Sequence, residues 1–336
     1  MAIDMFRHVS RYMALFCVIA SIFSLGVNAN TISPVVDSNQ SIQLQATLTP
    51  HVPIYISGDI QFNATNGVNS GTGTQIDPYI IEDWDINASC ADGIKIENTN
   101  AYFIIRKCNV FDGTYNGGFN YGIYLSVANN SSVQNCTSTR NSEGLHIWES
   151  EKITVLFNNV SLNSDGIWIG GSSLNIIFRN NIFSNTNTGL SQSWSANNTI
   201  TYNNITNNDK YGILMGKQKN YSYVHHNNFI DNNGGTAQAN DTSEMVYWNT
   251  SIEGNHWSDW ISPDTDQNGI VDNPYILEGN KGANDSRPLV ELVSNAGNGF
   301  VYELPNVYII TLVALIPITI MIRRRSKHKK HDIWVW

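Results

Sequence analysis

Residues 143–166 read EGLHIWESEKITVLFNNVSLNSDG and contain one full unit of a repeat. Gly144-Leu145 opens the unit, and Gly166-Ile167 opens the next one. The same Gly-apolar pair recurs at Gly93-Ile94, Gly122-Ile123, Gly189-Leu190 and Gly212-Ile213, with Gly spacings of 29, 22, 22, 23 and 23. The long step is one unit plus an insertion at 113–120, GTYNGGFN. A fixed period of this size marks a solenoid, in which each turn buries its neighbour. Inside a unit, two short runs alternate apolar and polar residues. One follows the Gly (Ile94, Ile96; Ile123, Leu125; Leu145, Ile147; Ile167, Ile169), and one precedes an Asn-rich turn (Ile153, Val155, Phe157; Ile176, Phe178; Ile200, Tyr202). Period two means strands with alternate residues inward, and no helical period occurs between residues 51 and 290. Short strands turned by Asn and Gly at about 22 residues per coil predict a right-handed parallel β-helix, an all-β fold.

Composition agrees with a turn-rich, ordered chain. Of 336 residues, 45 are Asn, a residue that suits turns and tolerates left-handed backbone. The Asn-rich turns set Asn159, Asn181, Asn204 and Asn228 at one coil position, with Cys108 and Cys136 in the same place on earlier coils. Coils stack about 4.8 Å apart, so these side chains are expected to form a hydrogen-bonded ladder with packed thiols. Excluding Cys17, three Cys remain, too few to make a disulfide framework.

The ends give the organisation. Residues 1–29 carry Arg7 and Arg11, an apolar run from Tyr12 to Val27 and a small-residue site ending at Ala29, the layout of a signal peptide. Residues 305–322 are 18 in a row without a charge, about 27 Å as a helix, long enough to span a bilayer. Six cations follow between Arg323 and Lys330, which puts the 323–336 tail inside. The expected order is therefore signal 1–29, linker 30–50, β-helix 51–252, C-terminal cap 253–292, juxtamembrane linker 293–304, transmembrane helix and cytoplasmic tail. The expected location is the cell membrane, crossed once. The exterior part, 30–305, has 26 acidic and 11 basic side chains, a net −15 that excludes a nucleic-acid partner. Thirteen N-x-S/T sequons lie there, Asn63, Asn129, Asn204 and Asn284 among them, as expected for a glycoprotein.

Three stretches, GTGTQIDPYIIEDWDI (71–86), the Gly-apolar/Asn-turn coils, and GNHWSDWISPDTDQNGIVDNPYILEG (254–279), resemble archaeal surface proteins of the NosD-like type. The resemblance covers about residues 51–292. It implies the right-handed parallel β-helix of carbohydrate-binding and sugar-hydrolase (CASH) domains, and it carries a copper-binding label from the family's namesake.

Candidate sites follow from residue type and coil position. Outward on the Gly strands stand Lys95, Tyr124, His146 and Trp168, flanked by Glu97 and Trp148, an aromatic stripe suited to sugar rings. Tyr115 and Phe119 of the insertion are placed to wall it. Just before the Gly come Asp92, Glu143 and Asp165. Glu143 and Asp165 on neighbouring coils, with His146, form the candidate acid/base group of a glycan-cleaving enzyme, a glycoside hydrolase or polysaccharide lyase. Asp264, Asp266, Asn268, the Ile270 carbonyl and Asp272 follow the oxygen spacing of a calcium loop, although Tyr275 replaces the bidentate Glu. Copper donors would be His225, His226 and His256 with Met215 and Met245. Adjacent strand residues face opposite ways, which sets His225 against His226 and argues against copper. The expectation is a surface protein that binds glycan or cell-envelope polymer, with calcium stapling the cap. Glycan cleavage, and a structural spacer or adhesin, are the other two readings.

Overall fold

The computed structural model describes residues 48–296, apart from 115, 116, 244, 280, 281 and 295. The signal, transmembrane and tail segments lie outside the described residues. Among those described, no helix is long and apolar enough to cross a membrane. The chain winds as a right-handed parallel β-solenoid with three sheets, of nine, nine and eight strands, each built from one strand per coil. Within a coil the order is constant. The strand Glu143–Trp148 belongs to the stripe sheet, Thr154–Leu156 to the middle sheet, and Asn159–Ser161 to the Asn sheet. The next coil repeats this with Asp165–Gly170, Ile176–Phe178 and Asn181–Phe183, paired parallel in register.

The alternating apolar residues point inward and stack on themselves. Ile94, Ile123, Leu145, Ile167, Leu190 and Ile213 form one column, each at most 1% exposed. Burial of such columns is the main favourable term of the fold. Rings close both ends: Phe62 stacks on Tyr79 at 4.5 Å at the start, and Trp257 lies between Phe229 and Tyr275, at 4.3 and 4.0 Å, at the finish.

Each coil must turn between its middle and Asn strands, and one residue takes left-handed backbone to do it: Phe157, Arg179, Tyr202 and His226, with φ between 54° and 58°. The following residue is an Asn with no exposed surface to speak of, Asn158, Asn180, Asn203 or Asn227, and Asn255, after Gly254, takes the same place on the last coil. Its main-chain N–H donates to the side-chain oxygen of the Asn one coil on, at 2.9–3.1 Å from Asn158 to Asn227. The side-chain amide donates to the same oxygen and to a main-chain carbonyl of the previous coil, for example Asn203 to Asn227 and Ile177. A second ladder of the same kind runs through Asn141, Asn163, Asn185, Asn208 and Asn232 at the corner before the stripe sheet. Each rung thereby pairs a buried main-chain N–H at a tight corner, which burial demands.

The expected Cys column is off by one residue. Cys136 N–H donates to Asn158 Oδ1 at 2.8 Å, so Cys108 and Cys136 precede the buried Asn158 ladder rather than Asn159. Asn occurs in pairs here (158-159, 180-181, 203-204), and only the first of each pair is inside. Asn159, Asn181, Asn204 and Asn228 form their own ladder on the outer face. Burial and the adjacent Cys108 push the Cys136 thiol well up, so it is an unreactive packing group.

The buried ladder ends on a carboxylate. Asp285, without exposed surface, accepts from the Asn255 N–H at 2.7 Å, the Trp257 indole at 3.0 Å and the Arg287 N–H at 3.0 Å. Every preceding rung both accepts and donates, whereas the last has no coil beyond it to receive a donor. An acceptor-only side chain fits that position. Burial lifts the Asp285 pKa above the usual range, against the pull of those hydrogen bonds.

The corner at His226 also departs from strand alternation. The strand Ser222–His225 ends there, and His226 is left-handed (φ 56°), so its ring turns back onto its neighbour. The two Nδ1 atoms are 2.7 Å apart, and His226 Nε2 meets Glu253 at 2.8 Å. The expected opposition of His225 and His226 is therefore wrong, because the period-two rule stops at the end of the strand.

Two predictions follow from these corners. Asn203→Leu orphans the buried Asn180 N–H and takes one partner each from the Asn180 amide and the Ile177 carbonyl, and should cost roughly 2–3 kcal/mol in urea unfolding. Asn181→Ala on the outer ladder should stay within about 1 kcal/mol. Burial, then the neighbouring His226, hold His225 down to about 4. The unfolded chain takes up a proton near its ordinary 6.5 while the folded chain does not, so stability is full above that value and falls as pH drops toward 4. Between pH 7 and 4.5 the loss should be about 2 kcal/mol. Comparing urea midpoints of the wild type and His225→Gln at both pH values isolates it.

Candidate functional site

The stripe sheet sets two outward columns side by side. Tyr55, Lys95, Tyr124, His146, Trp168, Ser191 and Leu214 are consecutive register partners in one. Ser57, Glu97, Ser126, Trp148, Gly170 and Ser193 are partners in the other. All five predicted glycan-binding residues, Lys95, Glu97, Tyr124, Trp148 and Trp168, thus share one face. Sequence reasoning missed Tyr55, whose coil lacks the Gly marker. The run Ile54-Tyr55-Ile56-Ser57 nonetheless carries the same alternation as Ile94-Lys95-Ile96-Glu97.

One end of the face is polar. The Tyr55 hydroxyl donates to Glu97 at 2.6 Å, and Lys95 Nζ is 3.1 Å from the same carboxylate. Lys95 Nζ also lies 5.3 Å from the centres of the Tyr55 and Tyr124 rings. The Tyr55 hydroxyl, then Lys95, hold the Glu97 pKa down against burial. Burial alone would lower Lys95, but the hydrogen bond and charge of Glu97 outweigh it and raise the value. Both groups stay charged and fixed.

The other end is aromatic, and its rings lean on one another. His146 stacks on Trp168 at 4.5 Å, and Trp148 on Trp168 at 5.6 Å. Tyr121 and Tyr124 approach the His146 ring at 4.6 and 4.7 Å. Gly170 makes room for this: a Cβ there would sit 2.0 Å from Trp168 Cη2 and 2.8 Å from Trp148 Cε3. Tyr115 lies outside the described residues, and Phe119 is 84% exposed.

The three candidate acid/base residues separate into two groups. Glu143 meets His146 Nδ1 at 2.7 Å. Glu143 and Asp165 are register partners, yet Asp165 accepts from the Asn187 amide at 2.7 and 2.9 Å and from the Thr188 N–H at 3.0 Å. Asp92 caps the Tyr121 N–H at 2.9 Å in the same manner. These two carboxylates tie their coil to the next. Burial and the Glu143 charge push the Tyr121 hydroxyl pKa up.

In the predicted calcium loop, Asp264, Asp266 and Asp272 bring carboxylate oxygens within 4.8 Å of one another. Gln267 and Gly269 adopt positive φ to wrap the loop. Asn268 instead turns its Oδ1 to the Ile270 N–H at 2.7 Å, and Ile270 pairs by backbone with Leu289 in the cap. Of the copper donors, Met215 is in the core, and His256 Nδ1 faces the Leu289 carbonyl at 3.3 Å.

No curated protein matches the sequence. Among solved structures, the chain is similar to a mutant of the periplasmic alginate epimerase AlgG, with 17% identity and a TM-score of 0.44 over 51% of this chain and 44% of that one. It is also similar to the A-module of the Azotobacter vinelandii mannuronan C-5 epimerase AlgE4, with 15% identity and a TM-score of 0.38 over 52% of each chain. The chain thus spans about half the length of those structures, and likenesses this slight carry nothing about substrate. A family model, however, matches residues 52–262, about 63% of the sequence and nearly the whole solenoid. The chain belongs to the NosD family, described as periplasmic copper-binding proteins.

Proposed function

We propose that this is a cell-surface β-helix protein that binds carbohydrate or cell-envelope polymer along the stripe, held to the membrane by the 305–322 helix. The observation that carries the reading is the ordered column of Tyr124, His146 and Trp168 with Trp148 beside it, and the fixed Lys95–Glu97 pair at one end. Sugars present apolar ring faces and hydroxyl edges, so aromatic groups next to fixed polar ones suit them. The rings are already held by one another, so little side-chain freedom is lost on binding. A family described as periplasmic supports a place outside the cytoplasm. Copper is not part of this reading, since the His225 and His226 Nδ1 atoms meet each other and His226 Nε2 meets Glu253.

Cleavage is less well supported than binding, because Asp165 is committed to Asn187 and Thr188. The calcium reading rests on the three converging carboxylates of the cap loop.

Affinity electrophoresis of residues 30–300 through polysaccharide-loaded gels tests the main reading. One polymer should retard the wild type, and Trp148→Ala with Trp168→Ala should weaken binding at least tenfold, about 1.4 kcal/mol. Unretarded migration in every gel would favour a spacer or adhesin with a protein partner. Release of reducing ends that Glu143→Gln removes would instead show an enzyme. Calcium should raise the thermal midpoint of the wild type by a few degrees and leave Asp264→Ala with Asp266→Ala unmoved, a shift expected of a ligand that binds only the folded state.

A further inference from the structure

The aromatic column stops abruptly. After Tyr124, His146 and Trp168, the next register partner is Ser191, and beside it Trp148 gives way to Gly170 and Ser193. Gly216 continues the small column, its missing Cβ only 3.1 Å from Ser193 Cβ. His146 and Trp148 belong to one strand, Glu143–Trp148, so both meet Trp168 from the preceding coil. The opposite face of the Trp168 indole looks toward the coil of Ser191 and Ser193, and among the described residues no ring stacks on it. At the side of this step stands Trp194, held in left-handed backbone (φ 54°) and 52% exposed, with Lys217 Nζ 4.9 Å above its ring. No carboxylate belongs to the group formed by Trp168, Ser191, Ser193, Trp194, Leu214 and Gly216.

We infer that this shelf is the terminal subsite for the glycan, taking one neutral hexopyranose unit whose apolar face stacks on Trp168. The inference rests on the carbohydrate reading of the stripe and says where along it a ring is gripped. Inside the stripe the ring faces are turned on each other, which leaves edges for a ligand. At the step the Trp168 indole, partly exposed, carries no ring on its far side among the described residues, and a pyranose is about as broad as that face. Stacking uses CH groups against π-density, and the Ser191 and Ser193 hydroxyls below can both donate to and accept from ring hydroxyls. The floor rises again at Leu214, so a sugar is located along the solenoid axis as well as across it.

The test fills the shelf without touching the stripe. Ser191→Tyr extends the existing column by one ring, after the rings of Tyr124, His146 and Trp168 on three consecutive coils. Ser193→Trp fills the shelf from the second column. The full chain in detergent is titrated by calorimetry with neutral gluco-, galacto- and manno-hexasaccharides. The wild type should bind at least one of them, and both variants should bind it at least tenfold more weakly while keeping the wild-type thermal midpoint. A variant with a lowered midpoint is set aside, and the other decides. Wild-type binding that both folded variants retain within twofold overturns the shelf and leaves the stripe reading intact. Absence of wild-type binding to all three sugars, with the same result in the polysaccharide gels, overturns the stripe reading and the shelf with it. Binding to a polysaccharide gel but to none of the hexasaccharides overturns the neutral-hexose subsite alone.

Discussion

The amide-to-amide hydrogen bond between stacked Asn side chains is the constraint on which this structure depends. A 22-residue coil has to reverse direction several times, and each reversal puts main-chain groups at a corner where no strand partner is available. A buried N–H left unpaired costs on the order of 1–3 kcal/mol. The Asn158–Asn255 and Asn141–Asn232 ladders satisfy one such group on every coil, and each rung is satisfied by its neighbours in turn. The apolar columns supply the drive to condense, but many apolar arrangements would do that. The ladders demand that coils stack in one register, because a slip of one residue would set a buried Asn158-type amide against the left-handed corner residue or the outward Asn of the next coil.

That register decides the chemistry of the outer surface. The strands of the stripe sheet are locked coil to coil, so residues 22 or 23 apart meet as though adjacent. Tyr124, His146 and Trp168 come within stacking range for this reason, and Tyr55 meets Lys95 and Glu97 of the next coil. The site therefore needs no loop to assemble it. Its precision is that of the core, as expected of a surface built directly on regular strands.

Much of this was legible in the repeat. The Gly spacing and the two alternating runs define the solenoid, two of its three strands per coil and the composition of the stripe; the third strand, such as Asn159–Ser161, is too short to show an alternation of its own. The errors share one physical origin, which is the corner. Asn158-Asn159 reads as two equivalent residues, and nothing in the letters says which is inside. The structure buries the first because the left-handed residue before it swings the chain inward. His226 occupies such a left-handed position itself, so the alternation that opposes it to His225 no longer applies. Ring orientation was likewise out of reach: Trp168 lies over Gly170 of its own strand because the missing Cβ leaves room there, and the rings of His146 and Trp148 on the preceding coil stack on it. Asp165 reads as half of a carboxylate pair, and it acts as an acceptor for Asn187 because that amide arrives from the next coil.

Asp285 has a meaning for how such a protein changes length over evolution. Every interior rung is interchangeable with every other, because each gives to one side what it receives from the other. Only the last differs, taking hydrogen bonds and offering none. A whole coil can be duplicated or lost anywhere upstream, and the ends still fit, since the new rung presents the same two faces as the one it copies. The terminal segment carrying Asp285 and Trp257 then behaves as a reusable stopper, indifferent to the number of coils it closes. Length, and with it the extent of any surface carried on the stripe sheet, is free to vary by whole repeats without redesign of the core.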